Sequence, residues 1–109
     1  MKLDRNNNPG GMGKYALIKL RNYPPSIRAI ERARVDTALA ILRDFKMLDY
    51  GNVGTESEFM VIRLKDRYAQ EALWAYANEA DKDDHEYAGE IIEMANRSGP
   101  DSPFCKRPD

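Results

Sequence analysis

The sequence has very little of what catalytic and metal sites are made from, with one cysteine and one histidine among 109 residues. Cys105 alone cannot form an internal disulfide, and one cysteine with one histidine cannot build a structural zinc centre. His85 stands between Asp84 and Glu86, whose side chains point elsewhere on a helix, so nothing local favours a catalytic triad. We therefore expect no catalytic residue, no metal site and no cofactor, and we predict that the chain is not an enzyme.

Long apolar runs are absent as well. No stretch of about 18 apolar residues is present to span a membrane, and residues 1–13 offer no apolar segment that a signal peptide would need. A single cysteine, with no internal disulfide to form, agrees with a reducing compartment. These features predict a cytoplasmic protein without membrane contact.

Neither sign of charge is in excess, because 17 Lys and Arg stand against 18 Asp and Glu and the formal net charge is −1. The two signs are nevertheless separated along the chain. Residues 1–49 hold ten basic and five acidic residues, and residues 50–109 hold seven and thirteen. This asymmetry fits either a basic and an acidic contact surface or internal complementarity between packed helices. The overall balance argues against a dedicated duplex-DNA binder, which usually has a clear basic excess.

Helix breakers and polar stretches divide the chain into three parts. Residues 1–13 contain three asparagines, a proline and three glycines, and they are expected to form a flexible leader. Residues 14–99 are predicted to form a single α+β domain, and residues 100–109 a polar C-terminal tail. A chain of this length fits one domain.

Apolar residues at three- and four-residue steps predict three helices. The first runs from about residue 26 to 47, with Ser26 as its N-cap, and the second is capped by Asp66 and continues to Ala80. The third carries apolar residues between 87 and 95 and ends at Gly99. Short apolar runs at 15–21 and 59–64 predict strands, with a shorter one near 47–53.

The resulting order is β-α-(β)-β-α-α, an α+β fold with a small two- to three-stranded sheet backed by helices. Each helix and strand has an apolar side that should face the core. The residues expected to be buried there are Ile18, Leu39, Leu42, Ile62, Leu73 and Ile91.

The two clearest strands match position by position in residue type. Residues 15–22 and 59–66 both run aromatic, small or flexible apolar, aliphatic, isoleucine, basic, leucine, basic, and amide or acid. The match fits either an ancient duplication of a strand–helix unit or a chance likeness of two amphipathic strands. Because side chains alternate along a strand, one face of the sheet would collect aromatic and basic residues. The candidate ligand-binding residues on that face are Tyr15, Lys19, Arg21, Phe59, Arg63 and Lys65.

The strand–helix–strand–strand–helix order resembles the ferredoxin-like fold, in which the first and third strands lie side by side at the sheet centre. The RNA-recognition motif has that fold and carries base-stacking aromatic residues on those strands, near the places of Tyr15 and Phe59. Residues 58–62 lack the glycine and the second aromatic of its longer signature, and a third helix replaces its fourth strand. The resemblance is one of fold, and it implies a face that stacks bases or a nucleotide. The other interpretation is that the third helix or a second subunit covers this face.

By elimination, we predict a small non-catalytic binding protein that acts through surface contacts as a homo-oligomer. Small size, mixed charge and polar ends are typical of accessory proteins of phages and mobile elements, among them inhibitors that block or sequester a host-defence component. The alternative is a nucleotide- or single-stranded-nucleic-acid-binding domain that uses the aromatic and basic sheet face. A protein-directed inhibitor should expose an apolar or acidic patch, whereas a nucleotide binder should have a basic concave site.

Overall fold

The computed structural model describes residues 1–107 and is helical. Helix α1 spans Ala29–Asp44, α2 spans Ala69–Ala80 and α3 spans His85–Ala95. Short 3-10 turns occur at Asp4–Asn7, Pro9–Gly11 and Gly99–Asp101. The three helices predicted from the apolar periodicity are therefore confirmed, with different bounds. Helix α1 is shorter at both ends, and α3 ends four residues before Gly99. Helix α2 ends at Ala80 as expected, but its N-cap is Tyr68 and not the predicted Asp66.

The predicted sheet is wrong. No strand is present among residues 1–107, and the α+β fold class with its β-α-(β)-β-α-α order is replaced by a helical one. The β-pairing found there is a single parallel bridge between Asp66 and Lys106. A strand has no hydrogen bonds of its own, so residues 15–21 and 59–64 need a partner ladder that the rest of the described chain does not supply. Near the third predicted strand, Lys46 and Gly51 have φ of 58° and 59°, which extended backbone does not allow.

The chain divides into two compact units, of which the first combines residues 1–16 with the chain from Val61 onward. Its core is the contact between α2 and α3, which a four-residue connection holds side by side. Small side chains dominate that contact and let the helices approach closely. The fully buried apolar residues are Ala69, Ala77, Ala88, Ile91 and Ala95.

Polar side chains fix the ends of this helix pair. Asp66 Oδ1 accepts a hydrogen bond of 2.8 Å from the Tyr68 N–H just before α2. Asp84 caps α3 by accepting from the Tyr87 N–H at 3.1 Å. Buried Gln70 donates to the Ala95 carbonyl at 3.1 Å, and so ties α2 to the last turn of α3.

The second unit, residues 17–60, contains α1. Ser26, the predicted N-cap, is not the cap, because the N-cap is Arg28, two residues later, and the helix begins at Ala29. Glu31 accepts hydrogen bonds from the Arg28 backbone N–H at 3.2 Å and from its Nε at 2.6 Å. The Arg28 hydrogen bonds hold the pKa of the Glu31 carboxyl below its usual value. Tyr23 packs beside the same helix and donates to Asp36 at 2.9 Å.

The predicted core is also wrong in part. Of the six residues expected to be buried, Ile91 is buried, while Leu39, Leu42 and Leu73 are half-buried. Ile18 and Ile62 are 45% and 44% exposed. Both isoleucines were assigned to the inner face of a sheet, and without that sheet no layer packs over them.

Candidate functional site

Residues 17–60 expose an unusual amount of apolar surface. No side chain of this unit is buried. Ile30, Ile41 and Phe45, the outer apolar face of α1, are 67%, 51% and 75% exposed. They lie on one side of the helix because they are eleven and four residues apart, close to whole turns of 3.6 residues. Further exposed apolar side chains of this unit are Met47, Tyr50, Val53, Phe59 and Met60.

The apolar arc of α1 is wide, and its two edges differ. At 3.6 residues per turn, Leu39 and Leu42 lie on one edge of the arc and the outer apolar face on the other. Leu39 and Leu42 are half-buried, whereas the outer face is in contact with solvent. Because only one edge of the apolar arc is partly covered within the unit, the other edge can contact another protein surface.

The six predicted ligand-binding residues do not form one sheet face, since residues 1–107 contain no sheet. Three of them belong to the unit that contains α1: Lys19, Arg21 and Phe59. Lys19 and Arg21 are exposed. The Phe59 ring lies on the backbone of Gly51, where an added Cβ would come within 2.4 Å of the ring. The Phe59 ring can therefore pack against the backbone of residue 51 only because glycine has no side chain.

The other three predicted residues are Tyr15, Arg63 and Lys65. They belong to the first unit, which contains α2 and α3 and is called the helix-pair unit below. Tyr15 is 91% exposed. Lys65 is half-buried, and its carbonyl accepts a hydrogen bond of 3.0 Å from the Lys106 N–H. Arg63 lines the larger cavity of the unit and Tyr15 a smaller recess. Two residues singled out from the strand pattern thus reach concave sites, although not through a strand.

The larger cavity of this unit has a volume of about 530 Å³, within the range of small-molecule sites. It is bounded by α2, by Met94 of α3 and by residues 62–64. Its apolar lining is formed by Ile62, Leu64, Ala69, Ala72, Leu73 and Met94, and its polar lining by Arg5, Arg63 and Tyr76. A recess of about 250 Å³ shares Arg5 and Met94 with it.

The charge of the larger cavity is positive. No aspartate or glutamate among the described residues lines it. Within residues 1–107, the Arg5 and Arg63 side chains make neither a hydrogen bond nor an ion pair. Two guanidinium groups without a carboxylate partner, above an apolar floor, form a site complementary to an anion.

Tyr76 is held in place at this cavity by a second tyrosine. The hydroxyls of Tyr76 and Tyr87 share a hydrogen bond of 3.0 Å, and the ring centroids are 6.2 Å apart at 76°, an edge-to-face arrangement. This hydrogen bond, together with partial burial, raises the pKa of Tyr87 to about 12. Tyr76, which is 53% exposed, therefore also contacts α3 through Tyr87.

The outer side of the helix pair is acidic. Residues 69–95 hold eight Asp or Glu and one Lys, which gives a formal charge of −7 with His85 neutral. His85 is 94% exposed at its side chain, and its Nδ1 lies 2.6 Å from Asp81. The amino group of Met1 lies 2.9 Å from Asp84, and this contact lowers the pKa of the Asp84 carboxyl and raises that of the amino group.

Arg5, Tyr76 and Met94 were missed as site residues by the sequence patterns. Arg5 stands in the segment expected to be a flexible leader, so no periodicity marked it. Tyr76 and Met94 follow the apolar periodicity of their helices, which predicts packing and not a ligand site. Their place beside a cation could be recognised only once the chain was folded.

Comparison with protein-family models, with curated proteins and with solved structures gave no match. Among residues 1–107, no group of three or more His, Cys, Asp and Glu side chains is arranged to hold a metal ion. In the same part of the chain, every helix is too short or too polar to cross a lipid bilayer.

Proposed function

We propose that this chain is a small non-catalytic binding protein, and that the outer apolar face of α1 within residues 17–60 is its protein-binding surface. One observation carries the proposal, namely that this unit buries no side chain while it exposes large apolar ones. Large apolar side chains that are exposed on one side of a helix are typical of a contact with another protein. The acidic outer side of the helix pair supports the same function, since an inhibitor of a protein target was expected to expose an apolar or acidic patch.

The energetics of α1 favour a partner. Ordering the backbone of one residue costs roughly 1–2 kcal/mol, isolated helices shorter than about 12–15 residues are marginal in water, and most helix stability in proteins comes from packing of an apolar face. α1 has 16 residues and none of them is buried. Full burial of an exposed apolar side chain returns about 1.5–3 kcal/mol, so burying Ile30, Ile41 and Phe45 against another surface would return part of that amount for each, and least for Ile41, which is 51% exposed.

We assign this surface to a second copy of the chain, so that the protein works as a homo-oligomer. Charge complementarity is the argument for a second copy. Residues 17–47 hold seven basic and three acidic residues, a formal charge of +4, while residues 69–95 carry −7. A chain with both surfaces can associate with itself, and opposite charges steer such an encounter and fix its register.

Sedimentation velocity at micromolar concentration tests this assembly. The wild type is expected to sediment with at least twice the 12.5 kDa mass of one chain. The double variant Ile41→Asp, Phe45→Asp should shift toward 12.5 kDa, because two charges would be buried in the contact. Raising the salt to about 1 M should weaken association if the charges contribute.

Phe104→Asp provides the matched control. Phe104 is an exposed apolar residue outside both residues 17–60 and residues 69–95, so this variant should keep the wild-type mass. Circular dichroism should show similar helix content in all variants. A wild type that sediments as a single chain would contradict the assembly, as would equal masses for the two variants.

The proposed target of the assembled protein is a host-defence component, and the proposed location is the cytoplasm. Small size, mixed charge and the exposed free thiol of Cys105 support these two points. Expressing the chain in bacteria that carry a defence system, and then counting phage plaques, is the test. We expect plaques to be restored with the wild type and not with the double α1 variant. Equal plaque counts with and without the chain across the defence systems tried would contradict this target.

A further inference from the structure

We propose that the larger cavity of the helix-pair unit binds a mononucleotide, with the phosphate at Arg5 and Arg63 and the base over the apolar floor beside Tyr76. None of these residues belongs to residues 17–60, so the proposal is independent of the protein-binding surface. It can be correct whether or not the chain associates with itself.

The two arginines are the first step of the argument. Arg5 and Arg63 both line the cavity and no aspartate or glutamate among the described residues does, so the charged groups on its lining are cationic. Within residues 1–107, neither guanidinium makes an ion pair or lies over a ring, so both can contact a ligand. Their planar donor groups match the oxygen atoms of a phosphate.

The apolar part of the cavity is the second step. The cavity is also lined by Leu64, Leu73 and Met94, and an inorganic anion would gain nothing from contact with these apolar side chains. A volume of about 530 Å³ leaves space for an organic body in addition to the anionic group. The ligand is therefore an organic phosphate and not a free phosphate ion.

The tyrosine pair is the third step, and it points to a flat ring. Tyr76 is at the cavity wall, and its hydroxyl is fixed by the 3.0 Å hydrogen bond to Tyr87. An aromatic side chain that is already ordered loses little entropy when a base stacks on it. A phosphate, an apolar contact and a flat ring occur together in a nucleotide.

Isothermal titration calorimetry in about 50 mM salt, where phosphate contacts are strong, tests the site. Adenosine monophosphate and guanosine monophosphate are the probes, with adenosine and inorganic phosphate as the two half-ligands. At least one mononucleotide should bind about 10-fold or more tightly than either half-ligand, because each half makes only part of the contacts. A single-stranded oligothymidylate should bind no more tightly than the mononucleotide.

Variants of the cavity make the test specific. Arg63→Gln and Arg5→Gln should each weaken binding by about 10-fold or more, and Tyr76→Ala should weaken it by a similar factor. Arg97→Gln is the matched control, since Arg97 is exposed and does not line the cavity. Arg5 and Arg97 are both exposed, so neither change threatens the fold.

Several results would overturn the proposal. One is the absence of binding by the wild type to both mononucleotides, and another is equal weakening by Arg63→Gln and Arg97→Gln. Tighter binding of the oligothymidylate, lost in the Arg5 and Arg63 variants, would assign the cavity to a nucleic-acid strand in place of a mononucleotide. Binding of inorganic phosphate as tight as that of the mononucleotides would remove the role of the apolar floor.

Discussion

A single added methyl group should destabilise the fold strongly at Gly99, which follows α3. Its φ is +56°, it is buried, and its N–H donates a hydrogen bond of 2.7 Å to the Leu64 carbonyl. A Cβ at this position would lie 3.0 Å from Gln70 Cβ and 3.2 Å from the Arg67 carbonyl oxygen. The change Gly99→Ala therefore meets both an unfavourable backbone angle and a crowded contact.

The magnitude follows from these two effects. A left-handed backbone costs a residue with a Cβ about 1–2 kcal/mol, and forcing a methyl group into a packed site costs about 1–3 kcal/mol. Gly99→Ala should therefore lower the free energy of unfolding by about 2–5 kcal/mol. Gly89→Ala is the control within α3, because a Cβ there meets nothing within 4 Å. Alanine should stabilise that helix by about 1 kcal/mol.

Thermal unfolding followed by far-ultraviolet circular dichroism gives the readout. One kcal/mol corresponds to about 4–8 °C for a domain of this size. Gly99→Ala should lower the Tm by about 8 °C or more, and Gly89→Ala should raise it by about 4 °C or more. Equal shifts for the two variants, or an unchanged Tm for Gly99→Ala, would refute the described packing of Gly99 against α2.

Three further predictions concern the helix pair. The Ile91 side chain is 1% exposed, so Ile91→Ala should lower the free energy of unfolding by about 2–5 kcal/mol. A urea titration measures this change, and a loss below about 1 kcal/mol would contradict the burial of Ile91. The raised pKa of Tyr87 adds stability below pH 10 that is lost as pH rises through about 12. Tyr76→Phe should move that phenolate titration, measured by ultraviolet absorbance, toward 10, and an unchanged titration would exclude the hydrogen bond. The lowered pKa of Asp84, caused by the Met1 amino group, adds stability above its ordinary pKa that is lost as pH falls through the lower value. In the Asp84→Asn variant, the Tm should change less with pH between about pH 5 and pH 3 than it does in the wild type. The same pH dependence of the Tm in both proteins would contradict the contact.

The helices were predictable from the sequence because their signals are local. Apolar residues at steps of three and four placed α1, α2 and α3, whereas the predicted end of the third helix at Gly99 is four residues beyond its last residue, Ala95. Each signal lies within a few residues of the structure it produces, so no knowledge of the rest of the chain was needed.

The sheet was not predictable in the same way, because strand pairing depends on distant residues. Ile18 and Ile62 have the composition of inner strand positions, and the described chain offers them no ladder. The cavity has the same dependence, since Arg5 and Arg63 are far apart in sequence and meet the same cavity only through the fold. Of the predicted ligand-binding residues, Arg63 lines that cavity and Tyr15 the recess beside it.

A second copy of the chain that covers the outer apolar face of α1 should slow hydrogen exchange in that helix. Hydrogen exchange at high and low protein concentration measures this effect. We expect the amides of residues 29–44 to be protected at micromolar concentration and to exchange faster on dilution. Protection of residues 29–44 that does not change with concentration, in a chain that sediments as a monomer, would contradict the account.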